Sequence, residues 1–99
     1  MILTKNQNGS HLVVSVKGKL DAISAPKFEE EVASYLNGIT ELAVSMEEVE
    51  YLSSAGLRAL LYLHQLMSEQ GRLVIRNVPP IVQDIFELTG FTEIVTIEK

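Results

Sequence analysis

Cysteine and tryptophan are absent from the 99-residue sequence, and lysine and arginine together supply only 8 residues. A chain without cysteine has no disulfide, no thiolate nucleophile and no zinc site built on sulfur, and a reducing, cytoplasmic location is its default expectation. The 13 acidic residues outnumber the basic ones and bring the net charge to −5. This sign opposes contacts with phosphate backbones and anionic lipids. We therefore expect neither nucleic acid nor a membrane among the direct partners.

Long hydrophobic runs are also missing. No stretch approaches the roughly 18 apolar residues that suggest a membrane-spanning helix. The first five residues lead into polar residues 6–8, so we expect no signal peptide and a soluble protein that is not exported. Yet 46% of the residues are hydrophobic and only 21% are charged, a balance that favours a folded core over disorder. A chain of this length supports one core, which predicts a single domain over residues 1–99.

Turn and strand signals open the sequence. Asn8-Gly9 separates residues 1–7 from residues 11–17, and this dipeptide suits both central positions of a type I′ turn. The two runs are therefore predicted to form a β-hairpin. Residues 12–16 are rich in β-branched side chains, which is typical of a central strand.

Three amphipathic segments follow, and each ends near a glycine that could cap a helix. The first is predicted to start at Ser24, with Pro26 in its first turn. The apolar set expected for the third contains Ile81, Ile85, Phe86 and Leu88. The predicted helices are residues 24–37 followed by Gly38, residues 54–70 followed by Gly71, and a helix opened by Pro79-Pro80 and ended by Gly90.

Strand-like segments alternate with these helices. Residues 41–46, 72–76 and 93–97 are predicted as strands, and residues 47–52 as a turn and approach segment. The resulting order, ββαβαβα plus a terminal β, predicts an α/β fold. We expect a mixed sheet of about five strands with three to four helices, parallel at its centre because the long connections act as crossovers.

The sequence contains few residues that could form a catalytic site. The only imidazoles belong to His11 and His64, and His64 lies ten residues after Ser54 on the predicted helix, about 15 Å away at 1.5 Å per residue. Leu52 stands where a nucleophile elbow needs its first glycine. No metal-ligand spacing or glycine-rich phosphate loop occurs, the glutamate runs are expected on solvated surfaces, and the tyrosines and phenylalanines are expected in the core. The sequence predicts a protein that is not an enzyme and holds no cofactor.

One polar segment remains, at residues 53–58, Ser-Ser-Ala-Gly-Leu-Arg. It stands at the start of the second predicted helix, where backbone N–H groups lack intrahelical partners and negative charge is favoured. One interpretation is that a serine here, Ser54, simply caps the helix. The other is that Ser54 is phosphorylated and the free amides hold the phosphate. The spacing of the residues does not choose between them.

Three landmarks resemble the anti-sigma-factor antagonists of bacteria, which belong to the STAS domain group. Gly18-Lys19-Leu20-Asp21 with Ser24-Ala25 is similar to the family's loop and helix start. Residues 49–57 are similar to its phosphorylation segment, and residues 79–91 to its closing helix and turn. The chain departs from the family pattern at Ser53 and Ser45, where an aspartate and an asparagine or aspartate are common.

The resemblance implies a partner switch in which the protein binds an anti-sigma factor that is also a serine kinase. Ser54 would be the phosphorylated residue, phosphorylation would release the partner, and a phosphatase would reverse the step. The implied binding residues are Asp21, Ser53, Ser54, Leu57 and Arg58. Because ligands of open α/β sheets gather at the carboxyl ends of the strands, we expect Asp21 to lie near Ser54. The alternative is a STAS module that binds a nucleotide or another small ligand, or that acts as a scaffold.

Overall fold

Five strands and three α-helices follow one another in the predicted order, and the structure, a computed structural model, describes residues 1–98. The strands are β1 (Ile2–Asn8), β2 (His11–Leu20), β3 (Glu41–Leu52), β4 (Arg72–Arg76) and β5 (Thr96–Glu98). The helices are α1 (Ser24–Ala33), α2 (Ser54–Ser68) and α3 (Pro80–Thr89), and a short 3₁₀ helix covers Phe91–Glu93. Among the described residues, none of these helices is long and apolar enough to cross a membrane.

The sheet has the order β1-β2-β3-β4-β5, with β1 antiparallel to β2 and every other pair parallel. The predicted α/β fold with a mixed, centrally parallel sheet is confirmed. Buried residues of all three helices form one cluster with alternate residues of β2, β3 and β4. The helices therefore cover one face of the sheet, as successive right-handed crossovers in one direction require.

The hairpin is confirmed, but its turn lies one residue later than predicted. Asn8 pairs with His11, so the two central residues are Gly9 and Ser10 rather than Asn8 and Gly9. Gly9 has a φ of +62°, and neither Asn8 nor Ser10 has a positive φ. A positive φ at the first central position alone suits glycine there and differs from the type I′ pattern.

The strands β2 and β3 are longer than predicted, and the turn expected at residues 47–52 is wrong. The ladder continues past Ser45 through two irregular steps and pairs Gly18 with Val49 and Leu20 with Leu52. Val49 and Leu52 are buried, which anchors this part of β3 to the core although Val49 has glutamates on both sides in the sequence. At the other end of the chain β5 is shorter than predicted, because residues 91–93 form the 3₁₀ helix.

The first two helices end before their predicted limits. The first stops at Ala33 because the chain tightens there, with the Tyr35 N–H donating to the Val32 carbonyl at 3.0 Å. Gly38, with a φ of +80°, lies in the loop that follows and does not cap the helix. The second ends at Ser68, two residues before the predicted limit. By contrast, Gly90 caps α3 as predicted, with a φ of +76°.

Several apolar side chains that the sequence predicts in the core are exposed. Tyr51 and Tyr62 retain 48% and 43% of their accessible surface. On α3 the buried residues are Val82 and Phe86, whereas Ile81 and Leu88 are exposed. Hydrophobicity alone did not distinguish the two sides of this helix, because apolar residues occupy both of them.

Candidate functional site

The segment singled out by the sequence begins where β3 ends and α2 starts. Ser53 has extended backbone angles, with φ −90° and ψ 175°, and its hydroxyl oxygen accepts the Gly56 N–H at 3.3 Å. Its hydroxyl donates to the Leu20 carbonyl at 3.1 Å, and its N–H donates to the same carbonyl at 2.9 Å. Ser53 is therefore the N-cap of α2. The interpretation of Ser54 as the cap is wrong, because Ser54 already lies inside the helix.

Ser54 is the first residue of α2 and is exposed. Within residues 1–98 its hydroxyl makes no hydrogen bond, unlike that of Ser53. The N–H groups of Ser54 and Ala55 belong to the first turn, where the helix offers them no acceptor. A free hydroxyl thus stands beside unpaired donors at the positive end of the helix dipole.

Gly56 allows this turn to approach the sheet. A Cβ atom at this position would lie 2.9 Å from the Leu20 carbonyl oxygen and 2.5 Å from Leu52 Cδ1. The Leu20 carbonyl accepts both hydrogen bonds from Ser53, so it has little freedom to move away. Gly56 therefore helps to hold the Ser53 cap against the end of β2.

Asp21 follows the last residue of β2 and organises the start of α1. One carboxylate oxygen accepts the N–H groups of Ile23 at 3.0 Å and Ser24 at 2.9 Å, while the Ser24 hydroxyl accepts the Asp21 N–H at 3.0 Å. Asp21 and Ser24 are therefore joined by two reciprocal hydrogen bonds between side chain and backbone. The helix starts at Ser24 as predicted, and these hydrogen bonds hold its first residue to Asp21. The backbone N–H donors of Ser24 and Ile23 lower the pKa of the Asp21 carboxyl group.

The strand register brings the two halves of the site together. Leu20 pairs with Leu52 in parallel strands, so Asp21 and Ser53 leave the sheet side by side. The hydrogen bonds from Ser53 to Leu20 link the turn before α1 to the start of α2. Asp21 and Ser54 thus lie at the same end of the sheet, as expected from the position of both after parallel strands.

The other predicted site residues differ in accessibility. Leu57 is half-buried and packs against the core, whereas Arg58 is exposed. Arg58 lines a small cleft between α1 and α2 with Pro26 and Glu29. Ser45, the second departure from the family pattern, lies in the middle of β3 and accepts a hydrogen bond from the Asn77 side chain at 2.9 Å.

Two exposed apolar residues near the site were not recognised from the sequence. Ile23 retains 75% of its accessible surface and Tyr51 retains 48%. Ile23 follows Asp21 in the turn before α1, a position outside the helical stripe that could have revealed its exposure. Tyr51 gave no such signal, since an aromatic residue in an apolar strand is usually a core residue.

A groove of about 490 Å³ adjoins Asp21. It presents two lysines, two carboxylates and the start of α1, and its charged lining comprises Lys19, Asp21, Lys27 and Glu50.

Both histidines lie away from this region. His11 begins β2 at the opposite end of the sheet, where Nδ1 is 3.8 Å from a carboxylate oxygen of Glu41, and His64 is half-buried further along α2.

Comparison with known proteins places this architecture in a family. The model of the STAS domain matches residues 3–99. The chain belongs to the STAS domain family. BtrV of Bordetella bronchiseptica is 33% identical over 96 residues, covering 95% of this chain and 83% of that protein. The anti-sigma-B factor antagonist of Listeria monocytogenes is 32% identical over 98 residues, covering 96% of this chain and 85% of its own length.

Solved structures share the STAS fold at lower sequence identity. An anti-sigma factor antagonist from Mycobacterium paratuberculosis superimposes with a TM-score of 0.87 at 22% identity, covering 97% of this chain and 83% of that one. The anti-sigma factor antagonist SpoIIAA in its unphosphorylated form gives a TM-score of 0.84 at 16% identity, covering 99% and 89% of the two chains. At these identities the likeness establishes the common fold of the STAS domain.

The different hydrogen bonding of the two serines predicts different effects on stability. Replacing Ser53 with alanine removes the cap and should lower the free energy of unfolding by about 0.5–2 kcal/mol. Replacing the exposed Ser54 should change it by no more than about 0.5 kcal/mol. Urea denaturation of both variants and the wild type measures these values. A larger loss for Ser54→Ala than for Ser53→Ala would contradict the assignment of the cap.

The hydrogen bonds to the Asp21 carboxylate should make the stability of the fold depend on pH. Because its pKa is lowered in the folded protein, its carboxylate stabilises the fold above the ordinary aspartate pKa, and this contribution is lost as the pH falls through the lowered value. The difference in melting temperature between wild type and Asp21→Ala should therefore be largest near pH 7 and shrink towards about pH 3.

The matched control is Asp84→Ala, because the Asp84 carboxylate accepts no hydrogen bond from the residues that the structure describes. Thermal unfolding of both variants across this pH range separates the effect of the hydrogen bonds to the Asp21 carboxylate from the general effect of acid. A difference for Asp21→Ala that stays constant across the range would contradict the role assigned to the carboxylate.

Proposed function

We propose that this STAS domain, residues 1–99, is an anti-sigma factor antagonist controlled by phosphorylation of Ser54. It binds an anti-sigma factor that also acts as a serine kinase, and the bound partner no longer holds its sigma factor. Transfer of the γ-phosphoryl group of ATP to the Ser54 hydroxyl releases the partner, and a phosphatase restores the unmodified serine. The protein is a ligand and a substrate in this scheme and not an enzyme. The relatives named as anti-sigma factor antagonists support the assignment.

The observation that carries the proposal is the contrast between the two neighbouring serines. The Ser53 hydroxyl is held by Leu20 and Gly56, whereas Ser54 is exposed and its hydroxyl has no partner within residues 1–98. A kinase needs a hydroxyl that can enter its active site. Ser54 meets this requirement without disturbing the helix cap.

The surroundings of Ser54 favour an electrostatic switch. A phosphate adds a charge of about −1.5 to −2. The N–H groups in the first turn of α2 can donate hydrogen bonds to the phosphate oxygens, so the helix stays intact. In an interface the same charge must be desolvated without a partner, which is strongly unfavourable. Exposed Ile23 and Tyr51 offer apolar contact area beside it. Phosphorylation would thus weaken binding while the domain stays folded.

Phosphorylation by the cognate kinase is the direct test. Incubation with that anti-sigma factor and ATP should add the mass of one phosphate to the wild type and none to Ser54→Ala. Ser53→Ala should still be labelled, because its neighbour keeps a free hydroxyl. Mass spectrometry of the intact proteins and their peptides measures both results. A label on Ser53, or undiminished labelling of Ser54→Ala, would exclude Ser54 as the acceptor.

Binding of a small ligand is the second candidate, because the groove beside Asp21 has a volume in the range of ligand pockets. Its lysines, Lys19 and Lys27, suit an anionic ligand such as a nucleotide, while Asp21 and Glu50 oppose one. Titration of the unphosphorylated protein with ATP and GTP distinguishes the candidates. Saturable binding that is lost in Lys19→Ala but kept in Ser54→Ala would favour the ligand-binding module.

A further inference from the structure

The outer side of α3 carries large apolar residues that the fold does not use. Leu88 retains 87% of its accessible surface and Ile81 retains 56%, whereas Val82 and Phe86 point into the core. Ile81 and Leu88 are seven residues apart, which places them on one side of the helix, about 10 Å apart along its axis. Ile85, partly buried, lies between them on the same side. We call the surface formed by Ile81, Asp84, Ile85, Glu87 and Leu88 the α3 patch.

The charge of this region has one sign. Residues 77–98 contain four acidic residues and no lysine, arginine or histidine. Asp84 and Glu87 flank the exposed apolar side chains, and neither forms an ion pair with any residue of the described chain. The α3 patch thus combines an apolar centre with an acidic rim that pairs with no cation of residues 1–98.

We propose that the α3 patch binds a basic amphipathic helix of a partner protein. Apolar residues spaced one and two turns apart on such a helix would cover Ile81 and Leu88, and lysines or arginines beside them would pair with Asp84 and Glu87. A second copy of this chain fits less well, because a symmetric contact would bring the two acidic rims together. The patch consists of α3 residues and includes neither Ser54 nor Asp21, so the proposal does not rest on phosphorylation of Ser54.

A model peptide tests the proposal with the full chain in its unphosphorylated form, without kinase or ATP. The probe is a 14-residue helix with leucines at helical spacing on one side and lysines on the other, and its control carries glutamates in place of the lysines. We expect the lysine peptide to bind, its affinity to fall with added salt, and the glutamate peptide to bind at least tenfold more weakly. Amide shifts in ¹⁵N-labelled protein should concentrate in α3.

Variants of the protein locate the contact. Ile81→Ser and Leu88→Ser should each weaken binding of the lysine peptide at least tenfold while the protein stays folded, since both side chains are exposed. Ile2→Ser is the matched control, because Ile2 is 58% exposed and lies on β1. We expect it to bind as the wild type does.

Three results would overturn the proposal. The first is shifts spread over all acidic surfaces, with Leu88→Ser binding normally, which would indicate non-specific attraction. The second is equal binding of the glutamate peptide, which would remove the role of charge. The third is self-association in ultracentrifugation that Leu88→Ser abolishes, which would assign the surface to a second copy.

Discussion

Ser54→Asp is expected to lose at least tenfold in affinity for the anti-sigma partner, equivalent to about 1.4 kcal/mol or more. The substitution places a fixed negative charge at the proposed centre of the interface, where the partner must desolvate it. The fold should not suffer, because a carboxylate at a helix N-terminus is favourable by about 0.3–1 kcal/mol. Calorimetric titration and thermal unfolding of the same preparations measure the two effects, which have opposite signs.

Two control variants make this experiment specific. Ser54→Ala removes the hydroxyl without adding charge and should keep most of the affinity. Gln65→Glu adds the same single charge to an exposed position further along α2 and should bind as the wild type does. A folded Ser54→Asp protein that binds the partner with unchanged affinity would remove Ser54 from the interface.

Gly71→Ala is expected to cause the largest loss of stability, about 3 kcal/mol, because the added methyl group has no space. Its Cβ would overlap the carbonyl oxygen of Thr40 and lie 2.6 Å from the carbonyl carbon. That carbonyl accepts the Arg72 N–H at 3.0 Å, and the Thr40 N–H donates to the Ser10 carbonyl at 2.9 Å, so the backbone cannot easily withdraw. The melting temperature should fall by more than about 10 °C in a domain of this size.

Gly38→Ala is the matched control, because it tests backbone strain without crowding. Gly38 has a φ of +80° and open space around its Cβ position. Strain alone should cost about 1–2 kcal/mol there. Chemical denaturation of both variants compares the two costs. If Gly71→Ala were as stable as the wild type, the close approach of Gly71, in the turn before β4, to the Thr40 backbone would be refuted.

Local sequence signals predicted the order of the elements but not all of their limits. The hairpin glycine, the prolines before α3 and the helical periodicities act within a few residues, so they can be recognised without the fold. The extension of β3 to Leu52 could not, because it depends on pairing with Gly18 and Leu20, more than thirty residues earlier. The exposure of Ile81 and Leu88 likewise depends on which side of α3 meets the sheet.

Some features of the candidate site could likewise be predicted from local sequence, whereas others depend on the fold. Local signals were enough to predict that residues 53–58 start a helix and that a serine there could accept phosphate, because helix-start signals and free N–H groups are properties of the local chain. The tertiary structure adds the difference in hydrogen bonding between the two serines. The Ser53 hydroxyl donates to the carbonyl of Leu20, 33 residues away in the sequence, whereas Ser54 is exposed. The parallel pairing of Leu20 with Leu52 brings Asp21 to the same end of the sheet. The residues near Ser53 in the sequence could not predict this hydrogen bond, because the parallel register of β2 and β3 brings the Leu20 carbonyl to Ser53.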